Sequence, residues 1–196
     1  MLIDLHCHTR PLSACSDLTP DALLAGARAA GLDAVCLTEH DRLWPVDEAR
    51  QLGERHGLVV LRGMEVTTEA GHVLVLGLEE PPPGMFFAAT LRAAVEAAGG
   101  LMILAHPARA GMPRLDHREV ARLFDGVETA NGSDGRETNA ASLPFARMTA
   151  LPGIGGSDCH TAAEIGRAAT RLPEWVTDEQ GLIAALRRGL HEAVWL

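Results

Sequence analysis

The chain has 196 residues, of which 47% are hydrophobic, and a formal net charge of −9. This length and this supply of apolar side chains predict a single domain, residues 1–196, with one core. The acidic balance argues against a protein that binds a long nucleic-acid duplex, because such proteins carry a basic stripe. No signal-like or membrane-length apolar segment is found and the cysteines lack CxxC spacing, so a cytoplasmic protein with reduced thiols is expected.

The basic residues are unusual, because all 17 of them are arginine. A chain without lysine cannot use a lysine Schiff base, a P-loop lysine or a carbamylated lysine that bridges two metal ions. Tyrosine is also absent, which removes a phenolic general acid.

Short apolar runs alternate with helical patterns along the chain. A strand at Leu2–Leu5 is followed by Thr19-Pro20-Asp21, which has the cap, proline and acidic residue typical of a helix start. In chain order we then predict a helix ending near Ala30, strands at Ala34–Thr38, Leu58–Leu61, His72–Leu78, Leu101–Ala105, Gly126–Thr129 and Gly153–Gly156, and helices at Pro45–His56, Phe86–Ala98, Arg118–Phe124, Glu137–Leu151 and Asp178–Gly189. This alternation indicates βαβ units and a mainly parallel sheet.

Six of the apolar runs lead into residue types that bind metal ions. They end at or near His6-Cys7-His8, His40, Glu65, His106, Glu128 and Asp158-Cys159-His160. Buried strands that repeatedly stop at a histidine or a carboxylate predict a metal site at one rim of a parallel α/β barrel. His6 and His8 lie on the same face of their strand, so Cys7 is expected to face the helices.

Five of these segments together resemble the PHP family, which is named for bacterial DNA polymerases and histidinol phosphatases. The matching motifs, in family order, are Asp4-Leu5-His6-Cys7-His8-Thr9, Thr38-Glu39-His40-Asp41, Gly63-Met64-Glu65, Ala105-His106-Pro107 and Gly156-Ser157-Asp158-Cys159-His160. The motifs extend over nearly the whole chain, and their shared order is far more specific than any one of them.

The resemblance implies an α/β fold, a distorted (β/α)7 TIM-like barrel with its metal site at the carboxyl ends of the strands. It implies two or three divalent ions, Mn²⁺, Zn²⁺ or Fe²⁺. His6, His8, Glu65 and Asp158 would hold the first ion, Glu65 would bridge to a second ion held by His72 and His106, and His40 and His160 would hold a third.

Two ligands of this implied set rest on weaker matches. The family places an acid or a histidine from the first loop on the third ion, and we assign Asp17 to it, with Cys15 as the competing ligand. A thiolate would favour zinc, whereas a carboxylate also suits manganese or iron. His72 lies early in its strand and could be an ordinary surface histidine, but it is the only histidine between Glu65 and His106.

Residues beside the ligands suggest supporting roles. Asp41 and Asp4 are expected to orient imidazole rings by accepting the second ring N–H, although Asp4 could simply end its strand. Glu128 and Asn131 either position substrate or are plain polar rim residues. Three arginines follow the ligand motifs: Arg42, Arg109 and Arg114. We expect one or two of them, with Arg42 and Arg109 preferred, to bind phosphate, because one guanidinium group can donate to two phosphate oxygens at once.

The function implied by this set is metal-dependent hydrolysis of a phosphoester. A water molecule that bridges two ions would attack phosphorus as hydroxide, with His160 or a metal-bound water as the proton donor to the leaving alcohol. A phosphomonoesterase acting on a small metabolite, such as histidinol phosphate, fits the chain best, and an exonuclease acting on short oligonucleotides or a nucleoside-bisphosphate phosphatase or phosphodiesterase is the alternative.

Two other classes stay open at this point. An amidohydrolase also begins with His-x-His, but its binuclear form often needs a bridging lysine, which this chain lacks. A non-catalytic domain stabilised by metal would be expected to have lost some of the ligand residues, and they are present here.

Overall fold

The computed structural model describes residues 1–196 and contains nine strands and six helices. In chain order they are β1 (Leu2–Cys7), α1 (Pro20–Ala29), β2 (Ala34–His40), α2 (Val46–His56), β3 (Val59–Thr68), β4 (Gly71–Leu76), α3 (Ala88–Ala97), β5 (Leu101–Leu104), α4 (His117–Leu123), β6 (Gly126–Asn131), α5 (Arg136–Thr149), β7 (Gly153–Gly156), β8 (Ala168–Arg171), α6 (Glu179–Arg187) and β9 (Glu192–Trp195). Strands β8 and β9 have no counterpart in the sequence prediction, and the two alanines of β8 do not favour a strand. None of the helices combines the length and the hydropathy needed to cross a membrane.

All nine strands belong to one sheet, in the order β7-β6-β5-β4-β3-β2-β1-β8-β9. Strands β1 to β3 run parallel, as do β5 to β7, whereas β4 is antiparallel to both of its neighbours. Only Glu69 and Ala70 separate β3 from β4. A connection of this length cannot contain the crossover that parallel strands need, so the chain turns back as a hairpin.

The sheet curls until the segment after β7 pairs with β1. The backbone N–H of Asp158 donates to the carbonyl of His6 over 2.7 Å, and that of His8 donates to the carbonyl of Cys159 over 3.3 Å. We call this pairing of residues 6–8 with residues 157–159 the closing seam. The closed sheet is the distorted TIM-like barrel that the sequence predicted.

Two sequence features allow the seam to close. A Cβ atom at Gly156 would lie only 2.5 Å from the Cβ of His6, so no larger residue fits without moving the strands apart. Cys7 turns away from the barrel interior and is buried with Leu23 of α1 and Leu37 of β2, as its place between two histidines predicted.

Helix α6 covers the end of the barrel opposite to the carboxyl ends of the parallel strands. Its residues Leu182, Ile183 and Leu186 share one buried cluster with side chains from β1 to β5 and from β7. The guanidinium of Arg187 also donates to the carbonyl of Gly99, just before β5 begins. This apolar end supports the strands whose other ends form the site.

Candidate metal centre at the barrel rim

The sequence-predicted ligands meet at the rim where the parallel strands end. Strand β1 carries His6 with His8 just beyond it, β2 ends at His40, and His106, Asp158 and His160 follow β5 and β7. His72 reaches the same rim because β4 runs the opposite way, which places its first residues opposite the end of β3 in the register Thr67 to His72. The early position of His72 in its strand is therefore what brings it to the site.

Glu65 lies at the centre of the histidines, and its side chain is 1% exposed. Its Oε1 is 2.9 Å from His72 Nδ1 and 2.9 Å from His106 Nε2. Its Oε2 lies 3.1 Å from His40 Nδ1, 3.2 Å from His8 Nε2 and 3.3 Å from His6 Nε2. The two oxygens thus face two different sets of imidazoles, which is the arrangement that a carboxylate bridging two ions requires.

Asp158 completes the first of these sets. Its Oδ1 is 3.4 Å from His6 Nε2 and 3.3 Å from His8 Nε2, and both of these nitrogens are buried without a hydrogen-bond partner. A buried polar atom left unpaired is costly unless a ligand satisfies it. Two imidazoles and two carboxylates converging in this way fit a divalent cation.

Four groups of potential ligand atoms form around this centre. In each group the atoms lie within 4.8 Å of one another, and the groups are His6, His8, Glu65 and Asp158; Glu65, His72 and His106; His8, His40 and His160; and His6, His106 and Glu128. The first two coincide with the sets that the family resemblance implied. The third contains three histidines and no residue of the first loop.

The charges of the centre are strongly coupled. Burial alone would raise the pKa of Glu65, but the imidazoles of His6, His106 and His40 outweigh it and hold this pKa well below its usual range. Burial likewise opposes protonation of His6, yet the carboxylates of Asp158, Glu128 and Glu65 hold its pKa well above the ordinary value. The buried carboxylates therefore create a negative electrostatic potential that stabilises positive charge at the centre.

The backbone is strained at three of the strand ends that form the rim. Asp41, His106 and Asp158 have φ values of 57°, 27° and 51°, a region that residues with a side chain rarely adopt. Such strain persists only where the surroundings fix it, and it is concentrated at functional sites.

The structure does not bring Asp17 to the third group. Its carboxylate accepts a hydrogen bond from Arg10 over 3.0 Å, and its side chain is 76% exposed. Cys15 is exposed, and partial burial together with the carboxylates of Glu65, Glu39 and Asp158 raises the pKa of its thiol. The loop turns outward after Ser16, whose hydroxyl donates to the carbonyl of His8.

The two aspartates expected to orient imidazoles make other contacts. Asp41 accepts from the backbone N–H of Thr67. Asp4 accepts from the backbone N–H groups of His6 and Ser157 across the closing seam, and its burial raises its pKa to about 6. Both carboxylates therefore stabilise the backbone of the rim.

Other residues contact the Nδ1 atoms of His6 and His8, the ring nitrogens that face away from Glu65. Glu128 lies 2.9 Å from His6 Nδ1. The Ser13 hydroxyl lies 3.4 Å from His8 Nδ1 and donates to Glu39. The strand run ending at Glu128 was a visible signal, whereas nothing in the local sequence connects Ser13 to His8.

The three arginines differ in their contacts. Arg109 donates to Asp158 Oδ2 over 2.6 Å and to Asp134 over 2.8 Å. Burial alone would lower the pKa of this guanidinium, but the two carboxylates outweigh it and the pKa is raised. Arg42 and Arg114 are exposed. Arg109 therefore lies at the centre, and Arg42 is the free guanidinium next to the His40 strand end.

Family models match the chain in two adjoining segments. Residues 4–132 match the PHP domain, and residues 136–190 match a PHP-associated segment. The first match covers β1 to β6 and includes every proposed ligand except Asp158 and His160.

Named relatives with similar sequences act on phosphoesters. The phosphoribosyl 1,2-cyclic phosphate 1,2-diphosphodiesterase of Eggerthella lenta is 38% identical over 91 residues, which are 43% of this chain and 34% of that protein. The 3′,5′-nucleoside bisphosphate phosphatase of Chromobacterium violaceum is 32% identical over 87 residues, 42% of this chain and 30% of that protein. The chain thus matches about a third of the length of these two enzymes.

Solved structures share the whole fold. A two-domain protein from Bacteroides vulgatus that contains a predicted PHP-like metal-dependent phosphoesterase superposes with a TM-score of 0.78 and 23% identity, over 100% of this chain and 64% of that one. The ordered motifs, the barrel and the family match agree, and the chain belongs to the PHP family.

Proposed function

We propose that this chain is a metal-dependent phosphoesterase that hydrolyses a small phosphorylated substrate. The observation that carries the proposal is the position of Glu65, whose two oxygens face separate sets of histidines at distances of 2.9 Å to 3.3 Å. The sequence relationship to enzymes named as a phosphodiesterase and a phosphatase supports the same reaction class.

The metal-binding residues are proposed as follows. One ion is held by His6, His8, Glu65 and Asp158, a second by Glu65, His72 and His106, and a third by His40 and His160 with His8 beside them. The carboxylate of Asp17 would need to leave Arg10 to join the third set, and Cys15 is the competing ligand in the same loop. Divalent cations in such a centre supply Lewis acidity for attack on phosphorus.

The protein's own side chains do the remaining work. His160 is 27% exposed and its Nδ1 lies 3.0 Å from the carbonyl oxygen of Asp158. The remaining nitrogen, Nε2, would either bind the third ion or give a proton to a leaving alcohol, but not both at once. Arg42 and Arg109 bind phosphate oxygens, and the guanidinium of Arg109 already contacts the carboxylate of Asp158. Their positive charge would offset the negative charge on the equatorial oxygens of the phosphoryl group in the transition state.

The substrate proposal has two members. A phosphomonoester of a small metabolite, with histidinol phosphate as one candidate, suits an acidic chain that lacks a basic stripe. A nucleoside bisphosphate or a short oligonucleotide is the second candidate, and the similarity to the nucleoside bisphosphate phosphatase favours it.

The test combines metal analysis with a substrate panel. Protein purified without chelators is analysed for bound metals and assayed with an aryl phosphate, histidinol phosphate, a nucleoside 3′,5′-bisphosphate, an aryl phosphodiester, a short RNA and an N-acyl amide. Glu65→Gln is expected to lose bound metal and at least about 100-fold in kcat/KM, since even outer contacts of metal ligands are worth 10- to 100-fold.

The matched control is Glu137→Gln, which makes the same chemical change at an exposed position on α5. It is expected to keep both metal and activity. Full activity in Glu65→Gln would remove the bridging assignment, and hydrolysis of the amide alone would favour an amidohydrolase.

A further inference from the structure

Strand β6 buries a second carboxylate directly behind the metal centre. Glu128 is 1% exposed, and no arginine lies within ion-pair distance of it. A buried carboxylate without a strong basic partner costs stability, so its retention needs a specific set of contacts.

One oxygen of Glu128 contacts a ligand of the first ion. Its Oε1 lies 2.9 Å from His6 Nδ1, and the opposite nitrogen of that ring, Nε2, faces Glu65 and Asp158. A carboxylate accepts only, so Nδ1 must carry the proton and Nε2 keeps its lone pair for the centre.

The other oxygen contacts the backbone of a ligand of the second ion. The N–H of His106 donates to Glu128 Oε2 over 2.9 Å. His106 has a φ of 27°, and this hydrogen bond is one of the contacts that hold the strained turn. The ring of His106 is thereby directed to Glu65 Oε1, 2.9 Å from its Nε2.

Asn131 extends the same arrangement to Asp158. Its side-chain amide donates to Glu128 Oε2 over 2.9 Å and to Asp158 Oδ2 over 3.2 Å. Residues three apart in a regular strand face opposite sides, but the pairing of β6 with β7 shifts register between Glu128 and Ala130. This irregularity turns Asn131 to the side of Glu128.

We propose that Glu128 is a positioning residue that fixes ligands of two different metal ions at once. This inference rests on the proposed metal centre and goes beyond it, because it assigns one buried carboxylate to both the first and the second ion. Removing Glu128 frees the His6 ring and relaxes the His106 turn, so both ions lose affinity together.

The experiment measures zinc occupancy against buffered free Zn²⁺ concentration, by metal analysis of dialysed protein well below the unfolding temperature. Circular dichroism first establishes that each metal-free variant is folded. The occupancy curve of the wild-type protein gives the reference binding step of each ion. Glu128→Ala is expected to shift the steps of the first and the second ion to about 10- to 100-fold higher free zinc. His72→Ala, which removes a ligand of the second ion alone, is expected to shift one step only.

A second variant keeps the test decisive if Glu128→Ala fails to fold. Glu128→Gln keeps the shape, but its single NH₂ group replaces the acceptor oxygen at either His6 or His106, so at least one of the two steps should shift. Glu137→Gln is the matched control and should leave the curve unchanged.

The outcomes separate the two proposals. Shifts of both steps in Glu128→Ala, or of at least one step in Glu128→Gln, support the positioning role. A shift of one step or of none in Glu128→Ala, or of none in Glu128→Gln, overturns it. If wild-type protein binds no divalent metal, the proposed function itself fails, whatever the Glu128 variants do.

Discussion

The two ends of the barrel differ in what they bury. At the rim, the strands end in histidines and carboxylates, three imidazole nitrogens have no hydrogen-bond partner, and three residues with side chains have positive φ. At the opposite end, α6 packs the side chains of Leu182, Ile183 and Leu186 against the same strands. Buried polar groups without partners destabilise a fold, whereas buried leucines stabilise it. The apolar end therefore offsets the cost of the rim.

The largest expected effect tests the apolar end. Leu182 is 0% exposed, so Leu182→Ala leaves a cavity and is expected to lower the free energy of unfolding by about 2–5 kcal/mol. Urea denaturation measures this loss, and zinc occupancy of the folded variant is expected to stay unchanged. Leu190→Ala, at a residue that is 69% exposed, is the control. A loss of metal in folded Leu182→Ala would show that the two ends are not separable.

A smaller effect is expected at the closing seam, and it should lower both the stability of the fold and the affinity for zinc. In Gly156→Ala the new methyl group would meet His6 at 2.5 Å, and relief of this overlap is expected to cost about 1–3 kcal/mol. Because His6 must move, zinc affinity should fall as well, as measured by the occupancy curve.

The control for this change is Gly135→Ala. Nothing lies within 4 Å of a Cβ at Gly135, and its φ is −68°. Stability should then change by less than about 1 kcal/mol, with unchanged metal affinity. Equal effects of the two alanines would contradict the steric argument.

The smallest effect is a dependence of stability on pH that originates away from the rim. His191 is 8% exposed, neither ring nitrogen has a hydrogen-bond partner, and burial lowers its pKa below the ordinary 6.5. Asp125 and Arg187 line the same cavity of about 420 Å³, and Asp125 is paired with Arg92.

The sign follows from proton uptake in the unfolded state. Above pH 6.5 His191 is neutral in both states, and as the pH falls below that value the unfolded chain binds a proton that the folded chain refuses. Stability is therefore lost from pH 6.5 downward, by about 1.4 kcal/mol for each unit by which folding lowers the pKa. His191→Leu should lose less stability than wild type between pH 7.5 and pH 5 in urea titrations, and an identical slope would exclude this origin.

Sequence patterns predicted the fold class and much of the rim. Buried runs ending in His40, Glu65 and His106 indicate where strands stop, and the ends of parallel strands meet at one edge. The family match and the shared fold confirm the family and the fold class. The individual ligand roles stay predictions until metal is measured.

The features of the site that could not be predicted from the sequence depend on contacts between distant segments. The hairpin that reverses β4 brings His72 to the rim, although its sequence position looked unfavourable. Asp17 has the right residue type, but Arg10 holds its carboxylate outside the site. Glu128 was visible as a strand end, yet its two-sided role needed the irregular pairing of β6.

The closing seam also constrains the order of events during folding. The hydrogen bond from Ser157 to Asp4 joins residues 153 positions apart, and the first group of ligand atoms includes residues from both sides of this seam. Closing so long a loop has a large entropic cost and makes such contacts late to form. A nascent chain on the ribosome holds His6 and His8 long before Asp158 is synthesised. The first group of ligand atoms therefore exists only after the barrel has closed, so an ion proposed to bind there would be taken up after closure.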